Sequence, residues 1–156
     1  MAFGEDLQPE FKDYAAKIVE NAKTLADELM QLGFVLQGGG TENHLILADV
    51  RSSFGFDGKI YEKALDMVGL TLNANALPTD KGGAFRPSGV RLGTPAMTTR
   101  GLGTDEMKMV AGWMRKVADI CVKAEKEDKL SDFKVELDAI RSEVRELALK
   151  FPVPGC

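Results

Sequence analysis

Phe11, Tyr14, Ala15, Ile18, Val19, Ala22, Leu25, Ala26 and Leu29 recur at spacings of three and four, a period that only a helix can place on one face. Lys12, Glu20, Lys23 and Glu28 fall on the other side, as expected for a helix half in water. Pro9 suits the first turn, where its missing N–H has no partner to lose. Gly33, just after Leu32, offers the left-handed cap that ends such a helix. The chain must therefore open on one long amphipathic helix and bury its stripe against something else.

The period then changes. Phe34–Gln37 and His44–Val50 read as two short strands separated by Gly38-Gly39-Gly40, which suggests an antiparallel pair of open register. Lys59–Val68 reads as a helix with Ile60, Ala64, Leu65 and Val68 on one face and Gly69 ending it. Leu70–Leu72 is expected to be extended, residues 73–87 to be mostly loop, and Gly89–Gly93 to be another strand. Two long helices close the chain. Thr104 is the expected cap of the first, whose stripe is Val110, Trp113, Met114, Val117, Ile120 and Cys121. Ser131 is the expected cap of the second, with Phe133, Leu137, Ile140, Val144 and Leu147 inward. Pro152 and Pro154 prevent its continuation. The order describes an α+β domain: a small, mainly antiparallel sheet covered on one face by long amphipathic helices. Nothing in the pattern says what covers the other face.

Composition narrows the partners. The chain has 156 residues, enough for one core, and a net charge of −4 that argues against general affinity for nucleic acid. Its basic residues are interleaved with acids, as in Lys123–Lys129, and read as solvated surface. No apolar run approaches the roughly 18–20 residues of a membrane span, and no secretory signal layout opens the chain. A cytoplasmic protein fits these features. Cys121 falls in a helical stripe and reads as core. With Cys156 and His44 it offers too few ligands for a zinc site, so no metal is expected.

Three features invite a chemical reading. The glycine run lacks the Gly-Lys-Ser/Thr and the following helix of a phosphate loop, so a structural turn is expected. His44 is the only histidine and reads as a hydrogen-bonded structural residue at the start of a strand. The stretch from Thr71 to Gly101 differs, being long and weakly periodic, as functional loops are. Within it Arg91 stands between Gly89 and Gly93, where small neighbours leave room for a ligand. A guanidinium can grip a carboxylate with two parallel hydrogen bonds. A structural ion pair within the domain is the equal alternative.

Leu72-Asn73-Ala74-Asn75-Ala76-Leu77-Pro78, followed by residues 88–101 (SGVRLGTPAMTTRG), closely resembles serine hydroxymethyltransferase. Gly39-Gly40-Thr41-Glu42-Asn43-His44-Leu45 and the opening Leu7–Lys12 do so too. The resemblance runs through almost the whole chain in order. It implies the small C-terminal domain of a fold-type-I pyridoxal phosphate enzyme, with residues 1–32 as a leading helix joining an absent large domain and 33–156 as the small domain. It also implies interconversion of serine and glycine with tetrahydrofolate as the one-carbon carrier, in a cytoplasmic homodimer or other homo-oligomer.

By the same resemblance Arg91 holds the amino-acid carboxylate, orienting the substrate on the cofactor. Asn75 hydrogen-bonds the pterin of the folate, and Phe85 lines the folate site. Gly83 and Ala84 depart from the family's usual residues there, and Ala74 replaces a lysine common between the two asparagines. The lysine that anchors the cofactor sits in a threonine-rich stretch ending His-Lys, whereas the only histidine here precedes Leu45. The chain alone is therefore expected to be inactive and to expose the surface meant for the large domain, so that it self-associates. A stand-alone module that binds an amino acid or folate, or serves assembly, is the competing expectation.

Overall fold

The opening stripe forms α1, Pro9–Gln31, which Gly33 ends at a φ of 91° that favours glycine. The structure, a computed structural model, describes residues 4, 7–78, 80 and 86–155. After α1 come β1 (Val35–Leu36), a 3-10 turn (Gln37–Gly39) and β2 (Leu45–Asp49). Two helices follow, α2 (Val50–Phe54) and α3 (Gly58–Met67), then β3 (Asn73–Asn75) and β4 (Gly89–Gly93). The chain ends with α4 (Pro95–Thr99), α5 (Thr104–Ala124), a 3-10 segment (Glu127–Phe133) and α6 (Lys134–Lys150). No described helix is long and apolar enough to cross a membrane.

The four strands lie in the order β1-β2-β4-β3, with every neighbouring pair antiparallel. This is the expected α+β architecture. Leu36, Ile46, Ala48 and Val90 point from the sheet into one core with Leu25 and Leu29 of α1, Tyr61 and Leu65 of α3, and Met114 and Val117 of α5. Burying one such aliphatic side chain contributes about 1.5–3 kcal/mol. Residues directly opposite across a ladder share a face, and successive residues alternate. The other face therefore carries Val35, Leu45, Leu47, Arg91, Asn73 and Asn75. Val35 is 47% and Leu45 39% exposed there.

Several boundaries differ from the expectation, each for a local reason. Residues 73–75 form an edge strand although their sequence has no strand character, because β4 supplies the ladder. β2 stops at Asp49, whose carboxylate accepts from the Ser52 N–H at 2.9 Å and the Ser52 hydroxyl at 2.7 Å, starting α2. The last helix begins at Lys134 because Ser131 lies in the 3-10 segment, with its hydroxyl donating back to the Asp128 carbonyl. Gly103, not Thr104, caps α5; its N–H donates to the Glu106 carboxylate at 2.8 Å. In α1 the buried positions run from Asn21 to Leu29, whereas Phe11 is 38% exposed and Tyr14, Ala15, Ile18 and Val19 are half-buried, so the first half of the stripe is only partly covered among the described residues.

Polar ties fix the strand ends. Asn21, buried in α1, donates to the Thr98 hydroxyl and the Leu102 carbonyl, both at 2.9 Å. The Thr94 hydroxyl donates to the Ile18 carbonyl at 2.8 Å. These bonds hold the chain just after β4. On the entry side Gly58 approaches so closely that a Cβ there would lie 2.2 Å from the Gly89 carbonyl oxygen. Gly58→Ala should therefore cost about 1–3 kcal/mol through overpacking and lower the thermal midpoint by roughly 2–12 °C. Calorimetry showing an unchanged midpoint would contradict that close approach.

Candidate functional site

Alternation along β4 divides its side chains between two environments. Val90 is fully buried, whereas Arg91 projects from the opposite face and is exposed. Its ladder partners are Leu47 on β2 and Asn73 on β3, so it stands in the middle of the sheet rather than at an edge. Among the described residues no group accepts a hydrogen bond or forms an ion pair with its guanidinium. The internal ion pair that the sequence left open is thus not formed by those residues.

Arg91 lines an open groove of about 930 Å³, near the top of the roughly 300–1,000 Å³ range of small-molecule clefts. Leu45, Leu47 and Asn75 share its floor. One wall is residues 37–43, and Lys23 and Asp27 of α1 also border it. The wall is the glycine run expected to be a turn. Gly38, Gly39 and Gly40 take φ values of 73°, 71° and 146°, a path that other residues rarely follow. The turn is closed from within: the Thr41 hydroxyl donates to the Leu45 carbonyl at 2.6 Å, and the Asn43 side-chain oxygen accepts from the Leu45 N–H at 2.7 Å. Asn75 donates from its amide nitrogen to the Ala76 carbonyl at 2.7 Å. Its carbonyl oxygen accepts no bond among the described residues.

The groove thus offers a bidentate cation beside an amide, on a floor with apolar patches. Such a surface suits a carboxylate attached to a larger polar ligand. A family profile described as serine hydroxymethyltransferase matches residues 1–114. This chain belongs to the serine hydroxymethyltransferase family. A serine hydroxymethyltransferase of Acidothermus cellulolyticus is 48% identical over 155 residues, which cover 99% of this chain and 35% of the relative's length. The chain spans about a third of that curated relative.

Arg91 and Asn75, the two described residues of the expected site, line the same groove. Phe85 lies outside the described residues. His44 is exposed, and its side chain makes no hydrogen bond among them; only its carbonyl is structural, accepting from the Thr94 N–H at 3.3 Å. Cys121 is free and buried, and burial pushes its thiol up to about 12, so it stays protonated and inert at neutral pH. Among the described residues no group of acids, histidines and cysteines could hold a metal ion.

Sequence reasoning missed the pair that fastens the entry to β4. The Asp80 side chain is only 4% exposed, and its Oδ2 accepts from the Leu77 N–H at 3.0 Å and the Ser88 N–H at 2.8 Å. Its Oδ1 lies 3.6 Å from the Arg51 guanidinium, which also grips Asp57 and donates to the Arg86 carbonyl at 2.9 Å. Burial alone would raise the Asp80 carboxyl, but the Ser88 and Leu77 amides, the nearby Ser88 hydroxyl and Arg51 hold it below its ordinary value. The only sequence cue was an acid two residues past Pro78, which marks a turn but not a buried anchor.

A carboxyl lowered on folding contributes stability above its unfolded value of about 4, and loses it as pH falls through the lower folded value. The gap in thermal midpoint between the wild type and Asp80→Asn should therefore be full at neutral pH and close on acidification below about pH 4. A gap that stayed constant down to about pH 2 would contradict an ionised Asp80 anchor.

Proposed function

We propose that this chain is the substrate-facing C-terminal part of a serine hydroxymethyltransferase, which interconverts serine and glycine with tetrahydrofolate as the one-carbon carrier. The observation that carries the reading is Arg91, with no protein partner among the described residues, on the floor of a groove that also holds Asn75. By the sequence resemblance, both fall on motif positions expected to contact the carboxylate and the pterin.

Arg91 would bind the carboxylate of serine or glycine through two parallel charge-assisted bonds, fixing both the position and the rotation of the amino acid. Fixing that rotation decides which bond at the α-carbon is aligned for cleavage, and positioning of this kind can supply several kcal/mol of a barrier. Asn75 would present its carbonyl oxygen, unbonded among the described residues, to a donor edge of the pterin, while its amide stays tied to Ala76. Leu45 and Leu47 give the ligand an apolar floor and displace water from it.

Pyridoxal phosphate supplies the electron sink in this family. The groove residues of this chain do not fit that cofactor by themselves. Lys23, the one lysine among the described residues that line the groove, is exposed on α1 rather than enclosed in a pocket that could shelter an imine. The cofactor belongs instead, on this reading, to the large domain, carried on the part of the relative's length that this chain does not span. The boundary between leading helix and small domain near residue 32, and the family's cytoplasmic homo-oligomer, are parts of the same proposal.

Two measurements test it. In the complete enzyme Arg91→Lys should lower kcat/KM for serine roughly 100-fold, because a point charge cannot reproduce the two-pronged grip; unchanged kinetics would refute the assigned role. The 156-residue chain alone, given serine, tetrahydrofolate and pyridoxal phosphate, should show no turnover, and turnover would refute the division of labour.

A further inference from the structure

The two groove residues are not held equally. Arg91 lies on β4, which has β2 on one side through five paired positions and β3 on the other. Asn75 ends β3, an edge strand of three residues whose only ladder is with β4. An edge strand that short frays unless something else ties it down. Leu77, two residues beyond Asn75, is 4% exposed and packs where a Cβ on Gly89 would fall 2.8 Å from its side chain. Its N–H is taken by Asp80, as is the N–H of Ser88, the residue just before β4. One carboxylate thus joins the exit of β3 to the entrance of β4.

Resting on the reading above, we propose that Asp80 is a positioning residue for the folate side of the groove, acting through Asn75 and leaving the carboxylate grip of Arg91 largely untouched. The same oxygen serves both amides, so a neutral amide at position 80 can still accept from both but weakens each bond by removing its charge, and loses the attraction to Arg51. Arg51 reinforces the junction from outside. It faces Asp80 and Asp57, donates to the Arg86 carbonyl, and its own N–H donates to the Ser88 carbonyl at 3.1 Å. The Gly58 N–H adds a bond to the Pro87 carbonyl at 2.9 Å. Entry to β4 is therefore secured several times over, whereas among the described residues the exit of β3 is held by the packing of Leu77 and by the backbone and carboxylate of Asp80. Loosening Asp80 should be felt first at Asn75.

The test is a KM comparison in the complete enzyme, at a temperature where wild type and variant are both folded by circular dichroism. Asp80→Asn should raise KM for tetrahydrofolate roughly ten-fold, while KM for serine stays within about two-fold. Equal changes in both constants, or none in either, would overturn the role of Asp80, since a purely structural contact would lower stability without dividing the two. Should Asp80→Asn not fold, Arg51→Lys keeps both Asp80–amide bonds and should show the same direction of split at smaller size; no split there overturns the proposal as well. Failure of the underlying reading is separable: a wild-type enzyme that did not interconvert serine and glycine would remove the reading, whereas an active wild type with an undivided Asp80→Asn variant would remove only Asp80.

Discussion

Antiparallel pairing of β4 between β2 and β3 is the constraint from which the site follows. A strand alternates faces at every residue, so once Val90 is committed to the core, Arg91 is committed to the opposite side. Shifting the register by one residue would bury a guanidinium and expose the valine, exchanging a favourable burial for an unpaired charge in the core. The hydrophobic effect that builds the core thereby also aims the arginine. Among the described residues no partner takes its donors, which leaves them available to a ligand.

The groove is built from rigid parts around that strand. Its floor is ladder-bonded sheet, and one wall is a glycine turn closed by Thr41 and Asn43. The chain before β4 is secured by Asp80, Arg51 and Gly58, and the chain after it by Asn21 and Thr94. Sites held on strands in this way keep their geometry better than sites on free loops. The arrangement also explains two small residues. Gly58 occurs where it meets the Gly89 carbonyl, and Gly89 where it meets the Leu77 side chain and the Ala48 carbonyl, too closely for any side chain.

Much of this was legible in the sequence. The stripes of α1, α3, α5 and α6 and the strand Gly89–Gly93 are periodic signals, and period reports which side faces a core. Arg91 was legible as a candidate because glycines flank it, although only the structure shows that no other described residue pairs with its guanidinium. β3 was not legible, because Asn-Ala-Asn becomes a strand through its partner rather than through propensity. The helices Val50–Phe54 and Pro95–Thr99 span too few residues to establish a period. Asp80 was invisible for a different reason. Its two amide bonds come from the fold of its own loop and its ion pair from Arg51 far back in the sequence, and an acid near a proline reads as an ordinary surface turn. The glycine run was read correctly as a turn, but its place as a groove wall depends on the sheet beside it.

A crystal structure of the complete enzyme with glycine bound measures the central claim most directly. The account predicts two carboxylate oxygens at about 2.7–2.9 Å from the Arg91 guanidinium nitrogens, above the floor formed by Leu45 and Leu47 and beside Asn75. A carboxylate held by other groups, with the Arg91 side chain turned to Asp27 or Glu42 at the groove edge, would contradict it.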